Sequence, residues 1–259
     1  MHNSNSAAIS KVPEITLAFW VIKILATTLG ETGGDAVSMS MELGYLVSTA
    51  IFAVIFFVSV SAQIAATSYN PLLYWTTIIA TTTVGTTLAD FADRSLGLGY
   101  AGGSTLLLAL LMGSFLLWYR LQGSISTGSI TTPRTELFYW VTIMISQTLG
   151  TALGDWTADE AGFGYAGSAV LFGGMLAAIV ATYYLTRVSR TLLFWAAFIL
   201  TRPLGAVVGD FLDKPLSKGG LELSRYSASF TLLAAIAALV LISTLRNRQP
   251  VRAELDIEQ

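Results

Sequence analysis

The sequence predicts an all-α integral membrane protein with eight transmembrane helices, built as four tandem two-helix repeats whose odd-numbered helices form an inner ring. Three observations predict this fold. Of the 259 residues, 54% are hydrophobic and only 12% are charged, whereas a soluble domain is about a quarter charged. The charges lie between apolar stretches of about twenty residues, a length that crosses a bilayer. A motif that begins with Trp also recurs four times.

The repeated motif is a Trp followed by a Gly ten residues later, a small residue at fourteen and an Asp at fifteen. The Trp spacings of 55, 65 and 55 residues divide the chain into two halves of two repeats each. The four copies are Trp20, Gly30, Gly34, Asp35; Trp75, Gly85, Ala89, Asp90; Trp140, Gly150, Gly154, Asp155; and Trp195, Gly205, Gly209, Asp210. We place the repeats at 13–68, 69–122, 133–188 and 189–246, with a linker at 123–132 and tails at 1–12 and 247–259.

Each repeat supplies two membrane-spanning segments, and equivalent segments run in the same direction because the repeats are alike. The predicted spans are 15–35, 43–65, 71–91, 100–120, 136–155, 164–186, 191–211 and 226–246. The four Trp are then expected at one membrane interface as aromatic anchors, and the four Asp near the other. The small residues at ten and fourteen after each Trp predict close packing between odd helices. The even segments carry few polar side chains and are expected to face lipid.

The fourfold W-x9-G-x3-[GA]-D pattern across residues 13–246 resembles a family of bacterial inner-membrane proteins built from four tandem two-helix repeats, each with a characteristic Trp. The resemblance implies the same repeat architecture and a location in the bacterial inner (cytoplasmic) membrane. It implies nothing about chemistry, because that family is functionally uncharacterised.

The basic residues predict the orientation of the chain. Eight of them lie at the Trp end of the spans and four at the Asp end. Because basic residues favour the cytoplasmic side, both termini are expected in the cytoplasm. The Trp-end residues are Lys11, Arg120, Arg134, Arg187, Arg190, Arg246, Arg248 and Arg252, and the Asp-end residues are Arg94, Lys214, Lys218 and Arg225.

Positions seven, eleven, fifteen and eighteen after each Trp lie on one face of a helix, and they are polar in every repeat except for Ala158 and Ala206. Four such stripes meeting at a ring axis predict a central cavity, acidic at one end and with Arg202 deeper. The candidate pathway residues are Thr27, Glu31, Asp35, Thr82, Thr86, Asp90, Asp93, Gln147, Thr151, Asp155, Asp159, Arg202, Asp210 and Asp213.

Intramembrane ionisable residues usually mark a pathway, so the sequence favours a secondary transporter or channel for a small cation. Oxygen ligands suit a hard divalent metal, Na⁺ or H⁺, and Asp35, Asp90, Asp155 and Asp210 are the candidate metal ligands. Arg202 is expected to pair with a buried acid among Glu31, Asp35 and Asp210. Lys23, near the Trp level, is expected to extend to the interface.

Other functions stay open beside this one. The acids could instead cap helix ends and hold the ring together with Arg94 and Lys214, and Arg202 could hold an anionic substrate. A membrane scaffold or sensor subunit without transport is the main alternative. An intramembrane enzyme is less favoured, because the repeated acid reflects duplication better than a two-residue catalytic dyad.

Composition excludes several classes of site. The chain has no Cys, its one His is His2 in the polar N-terminal tail, and its net charge is −2 without a basic patch. Thiolate chemistry, His-based metal sites and nucleic-acid binding are therefore not expected. We expect no enzymatic activity, no catalytic residues and no cofactor apart from a cation as substrate. The expected partners are the lipid bilayer and a small cation or proton, and a homo-oligomer is permitted.

Overall fold

Eight long α-helices, two per repeat, make up most of residues 10–257, the part of the chain described by the structure, which is a computed structural model. Side chains are described for residues 10–246. The helices are α1 Leu17–Asp35, α2 Gly44–Ala65, α3 Pro71–Asp90, α4 Tyr100–Gln122, α5 Pro133–Asp155, α6 Gly164–Leu185, α7 Arg190–Asp213 and α8 Arg225–Ile257. The expected all-α architecture is confirmed.

Six of these helices are long and apolar enough to cross a membrane by length and composition: α2, α4, α5, α6, α7 and α8. The two others, α1 and α3, are more polar because α1 carries Lys23, Glu31 and Asp35 and α3 is rich in Thr. Apart from Thr76, those polar side chains are buried inside the protein rather than turned outward. Their composition therefore reflects an interior position.

The four odd helices form a closed ring. In this ring α1 packs on α3 and α7, and α5 packs on the same two helices. Each even helix packs outside the ring against the odd helix of the next repeat: α2 on α3, α4 on α5, α6 on α7, and α8 back on α1. In the apolar stretches of the even helices only 11–22% of residues are buried, against 67% in α5 and 61% in α7. The expected inner and outer sets of helices are confirmed.

Each odd helix begins at a polar capping residue close to the Trp end. The side chains of Thr16, Asn70, Thr132 and Ser189 accept hydrogen bonds from backbone amides in the first turns of α1, α3, α5 and α7. Such caps satisfy amides that the helix leaves unpaired. The caps lie at slightly different distances before the repeated Trp, so the odd helices share a capped start but not an identical first residue.

At the Asp end, three of the odd helices continue into a five-residue π-helical turn. These turns are Ala36–Ser40, Phe91–Ser95 and Trp156–Glu160. The following even helix then begins at or beside a Gly with positive φ, as at Gly44 and Gly164. In repeat 4 an inserted segment, residues 214–224, replaces the π turn. Its backbone folds back on α7 through the amide of Leu221, which donates to the Phe211 carbonyl at 2.7 Å.

The repeated Trp residues pack the joints of the ring, and their expected position at a membrane interface stays a prediction. Trp75, Trp140 and Trp195 are buried and Trp20 is half-buried. At every joint of the ring, the aromatic residue before one Trp contacts the Trp of a neighbouring odd helix. The ring-centroid distances are Phe19–Trp75 5.5 Å, Tyr74–Trp140 5.7 Å, Tyr139–Trp195 6.0 Å and Phe194–Trp20 5.8 Å. We call these eight residues the aromatic layer. Such aromatic pairs stabilise the joints between the odd helices.

The small residues of the motif lie where odd helices touch. A methyl group added at Gly85 would lie 2.9 Å from the backbone carbonyl carbon of Gln147, and one added at Gly209 would lie 2.6 Å from Cβ of Glu31. The same relation joins every pair of neighbours in the ring. The closest contacts are Gly30 with Thr82, Gly34 with Thr86, Gly150 with Arg202, Gly154 with Ala206 and Gly205 with Thr27. Ala89, the one Ala of the set, is also buried. Absent side chains thus let the ring close tightly.

Candidate functional site

Polar side chains from all four odd helices meet along the axis of the ring in two layers. The inner layer, next to the aromatic layer, contains Lys23, Glu31, Thr86, Gln147, Thr151 and Arg202, all fully or almost fully buried. The acidic layer, nearer the Asp end, contains the buried carboxylates Asp35, Asp90, Asp155, Asp210 and Asp213 with Arg94, Lys214 and Arg225. Side chains therefore fill much of the axis where the sequence predicts a cavity.

Arg202 is the centre of the inner layer. Its Nη2 donates to Oε2 of Glu31 at 3.0 Å and to the hydroxyl of Thr86 at 2.6 Å, and it also contacts the hydroxyl of Thr151. Thr86 in turn donates to Glu31 at 3.3 Å. Of the three acids expected to pair with Arg202, the structure selects Glu31. Helix α7 continues through Pro203 without a break.

Lys23 is buried in the same layer, which corrects the expectation that it extends to the interface. Its ammonium lies 4.2 Å from the centre of the Phe198 ring and 3.5 Å from Oε1 of Gln147. The side chain points across the ring because α1 turns this position inward, four residues before Thr27. Among the described residues Lys23 has no carboxylate within ion-pair distance. The inner layer thus holds two cations and one carboxylate.

In the acidic layer, Lys214 joins the carboxylates of α1 and α7. Its Nζ lies 2.6 Å from Oδ2 of Asp35 and 3.0 Å from Oδ1 of Asp210. Arg225, at the start of α8, lies 2.7 Å from Oδ2 of Asp213 and 3.8 Å from Oδ2 of Asp35. Three carboxylates therefore share two cations on this side of the ring.

On the opposite side, Arg94 joins the carboxylates of α3 and α5. Its Nε lies 2.8 Å from Oδ1 of Asp90, whereas its Nη2 lies 3.4 Å from Oδ2 of Asp155. Oδ1 of Asp155 is buried and has no hydrogen-bond partner within the described part of the chain. Asp155 is therefore the less firmly held member of this pair.

The acidic layer carries an excess of negative charge. Five buried carboxylates share three cations, so each carboxylate contacts a cation but the formal charge of the layer is −2 among the residues described. The surplus cation of the inner layer, Lys23, lies twelve residues from Asp35 along α1, about 18 Å at the helical rise of 1.5 Å per residue. It is too far away to compensate the acidic layer strongly.

A possible metal-binding group differs from the one the sequence suggests. Ligand oxygens of Glu31, Asp35 and Asp210 all lie within 4.8 Å of one another. Asp90 and Asp155, the other two candidate ligands, lie with Arg94 instead. Because Lys214 already contacts both Asp35 and Asp210, a divalent ion would have to displace this ammonium group.

The remaining sequence candidates lie at the edges of the two layers or outside them. Thr27 bonds backbone carbonyls of α1 and α7, and Thr82 is buried at the equivalent position of α3. Asp93 is buried against Gly103 of α4. Asp159 is exposed and accepts a 3.4 Å hydrogen bond from Tyr165. Asp159 therefore does not belong to either layer.

Two of the three cations of the acidic layer carry a sequence signal. Arg94 and Lys214 each follow an acidic-layer Asp by four residues, a helical ion-pair spacing that was available as a signal. Arg225 comes from α8 and carries no such signal. The π turn Phe91–Ser95, which carries Asp93 and Arg94, likewise has no evident sequence signal.

Comparison with known proteins identifies the repeat. A family model described as "Repeat of Unknown Function (DUF347)" matches residues 18–69, 73–124, 138–189 and 193–249. No curated protein and no solved structure matches the chain. The four matched segments cover most of the sequence and follow the four helix pairs of the fold. The chain therefore belongs to the DUF347 family, a repeat of unknown function, and carries four tandem copies of it.

Proposed function

We propose that the protein transports a small cation across the membrane and that the acidic layer is its binding site. The observation that carries the proposal is the charge of this layer, in which five buried carboxylates face three cations. Carboxylates that share a cation are only partly compensated, which is costly in a low-dielectric interior. The layer gains stability by binding a proton or another cation.

A proton is the favoured cargo. It can bind Oδ1 of Asp155 or Asp35 without moving Arg94 or Lys214, since this buried oxygen has no hydrogen-bond partner among the described residues. A divalent ion at Glu31, Asp35 and Asp210 would meet Lys214 at the same place. Hard metal ions and Na⁺ are therefore the second choice.

Transport through this ring requires movement at the opposite end. The aromatic layer closes the axis there, and the hydroxyl groups of Tyr74 and Tyr139 lie 2.6 Å apart in a hydrogen bond. The Arg202–Glu31 pair lies between this layer and the acidic layer. We place the gate at these two levels. A change in helix packing would open them while the acidic end closes, and close them while the acidic end opens. That mode of access corresponds to a secondary transporter rather than a permanently open channel.

The proposal includes a location and an orientation. We place the protein in a bacterial inner membrane with both termini in the cytoplasm, so that the acidic layer opens to the outside. We propose no enzymatic role. One chain is enough for the pathway, because its four odd helices close a ring by themselves.

The test is ion flux in liposomes that contain the purified protein. An enclosed pH-sensitive dye reports proton uptake when a K⁺ diffusion potential is applied, and separate arms supply Mn²⁺, Ca²⁺ or Na⁺ with matching dyes. We expect proton uptake in the wild type, loss of uptake in Asp155→Asn, and normal uptake in the control Glu160→Gln. Glu160 is an exposed carboxylate five residues further along the same repeat.

The ion pairs between odd helices also favour one alternative function, a scaffold in which these pairs only hold the ring together. Lys214 joins α1 to α7 and Arg94 joins α3 to α5 through such pairs. For a scaffold, no arm of the flux assay gives a signal, and Asp155→Asn changes only stability. That result would overturn the transport proposal.

A further inference from the structure

A cavity of about 590 Å³ opens on the flank of the ring at the Trp end, between α6 and the α1–α7 joint. We call it the α6 groove. Its walls include Trp20 of α1, Ile179, Val180 and Tyr183 of α6, and Phe194 of α7. Its volume falls in the range of roughly 300–1,000 Å³ that is usual for small-molecule sites. It lies away from the acidic and inner layers and is independent of the proposed transport.

The equivalent place beside α4 is filled by the protein's own aromatic side chains. The rings of Phe115 and Trp118 lie 4.9 Å and 5.7 Å from the ring of Trp195. Trp118 has no exposed surface. These two side chains close the space between α4 and the joint of α5 with α7.

On the other two flanks, buried side chains of the even helix also pack against the ring. Beside α2, Val60 and Gln63 are buried, and Lys11 lies on them with its Nζ 3.2 Å from the Gln63 carbonyl. Beside α8, Ile236 and Val240 are buried in the same apolar core. Each of these three even helices thus seals its flank with side chains.

Phe115 and Trp118 form what we call the α4 seal. The corresponding residues of α6 leave the groove open. Val180 and Tyr183 follow Phe115 and Trp118 by 65 residues, the same spacing that separates Trp75 from Trp140. They are 55% and 45% exposed. A smaller side chain at 180 and an outward ring at 183 account for the open groove.

The chemistry of the walls fits one kind of occupant. Most lining side chains are apolar, and α6 and α7 are both candidate membrane spans, so the groove opens toward lipid chains. At its Trp-end mouth Arg190 lies 3.9 Å from the centre of the Tyr183 ring, with Thr16 and Thr127 also in the lining. A guanidinium held there can bind a phosphate.

We propose that the α6 groove binds one anionic phospholipid of the surrounding leaflet, with an acyl chain between α6 and α1 and its phosphate on Arg190. The apolar walls favour the chain through burial of its methylene groups. Arg190, the one cationic side chain in the lining, favours a headgroup that carries net negative charge. The lipid completes the flank that the other three even helices seal with their own side chains.

The test is native mass spectrometry of the protein released from micelles with equal amounts of phosphatidylglycerol and phosphatidylcholine. We expect the wild type to retain one phosphatidylglycerol preferentially. Val180→Phe with Tyr183→Trp, which copies the α4 seal, should lose the retained lipid. Arg190→Gln should keep a lipid but lose the headgroup preference. Val170→Phe, on an exposed face of α6 outside the groove, is the matched control and should behave as the wild type.

A second readout protects the test from folding defects. Trp20 lines the groove, so phosphatidylglycerol with brominated acyl chains should quench part of the tryptophan fluorescence, and the quenching should shrink in Trp20→Phe. Inorganic phosphate alone should not displace the lipid. Retention that is unchanged in the sealed variant, equal retention of both headgroups by the wild type, or no quenching at Trp20 would each overturn the proposal.

Discussion

Replacing Arg202 with Gln removes the cation that Glu31 faces in the interior of the ring. Arg202 is fully buried, lies 3.0 Å from Glu31 and donates to the Thr86 hydroxyl at 2.6 Å. Breaking a buried pair by removing one member typically costs about 3–5 kcal/mol. Gln is already accommodated at the equivalent position 147, so shape alone is not expected to be limiting. We therefore expect Arg202→Gln to lower the free energy of unfolding by about 3–5 kcal/mol, in line with that range.

A double-mutant cycle separates the pair from general damage. Glu31→Gln should cost a similar amount in the wild type but clearly less in the Arg202→Gln protein, because the partner is already gone. The expected coupling is about 2 kcal/mol, within the 0.5–3 kcal/mol usual for contacting residues. Unfolding by SDS in mixed micelles, followed by tryptophan fluorescence, measures all four proteins. Strict additivity of the two substitutions would refute the assigned pair.

Three further predictions concern the ring and its orientation. Gly85→Ala should lower the free energy of unfolding by about 1–3 kcal/mol through overpacking against the next helix, whereas Gly113→Ala, where an added methyl meets nothing, should be neutral or slightly stabilising in the same assay. Lys23→Met should raise the unfolding free energy by about 1 kcal/mol or more, because it replaces a buried cation that no described carboxylate pairs with by an apolar chain of similar length; a lower value would show that Lys23 has an unseen partner. A C-terminal phosphatase reporter, active only after export, should stay silent in cells, and an active reporter would reverse the proposed orientation.

The repeat spacing predicts the fold well because it constrains all four helix pairs at once. The Gly ten residues after each Trp predicts a close contact with another helix. In the structure it lies against the residue seven positions after the Trp of a neighbouring odd helix, as Gly85 lies against Gln147. Hydropathy alone is less informative. It selects six of the eight helices and omits α1 and α3, whose polar residues are turned into the ring.

The details of the site depend on directions that spacing does not specify. A Trp near the end of an apolar helix is compatible with a membrane interface and with a joint between two ring helices. Its contact with a Phe or Tyr of the neighbouring odd helix is visible only in the structure. Lys23 could extend outward or inward, and the turn of α1 sends it inward beside Phe198. Arg225 enters the acidic layer from α8 because the segment inserted before it folds back on α7. Such tertiary effects have no local sequence signal.

The most direct test of the central claim is infrared difference spectroscopy of the purified protein between alkaline and acidic pH. We expect the acidic layer to take up a proton, which appears as a carbonyl stretch of a protonated carboxylic acid in a non-aqueous environment. This band should diminish or shift in Asp155→Asn and remain in Glu160→Gln. A spectrum in which no buried carboxylic acid forms, or a band that is identical in Asp155→Asn, would contradict the claim that the partly compensated carboxylates of the acidic layer bind the transported proton.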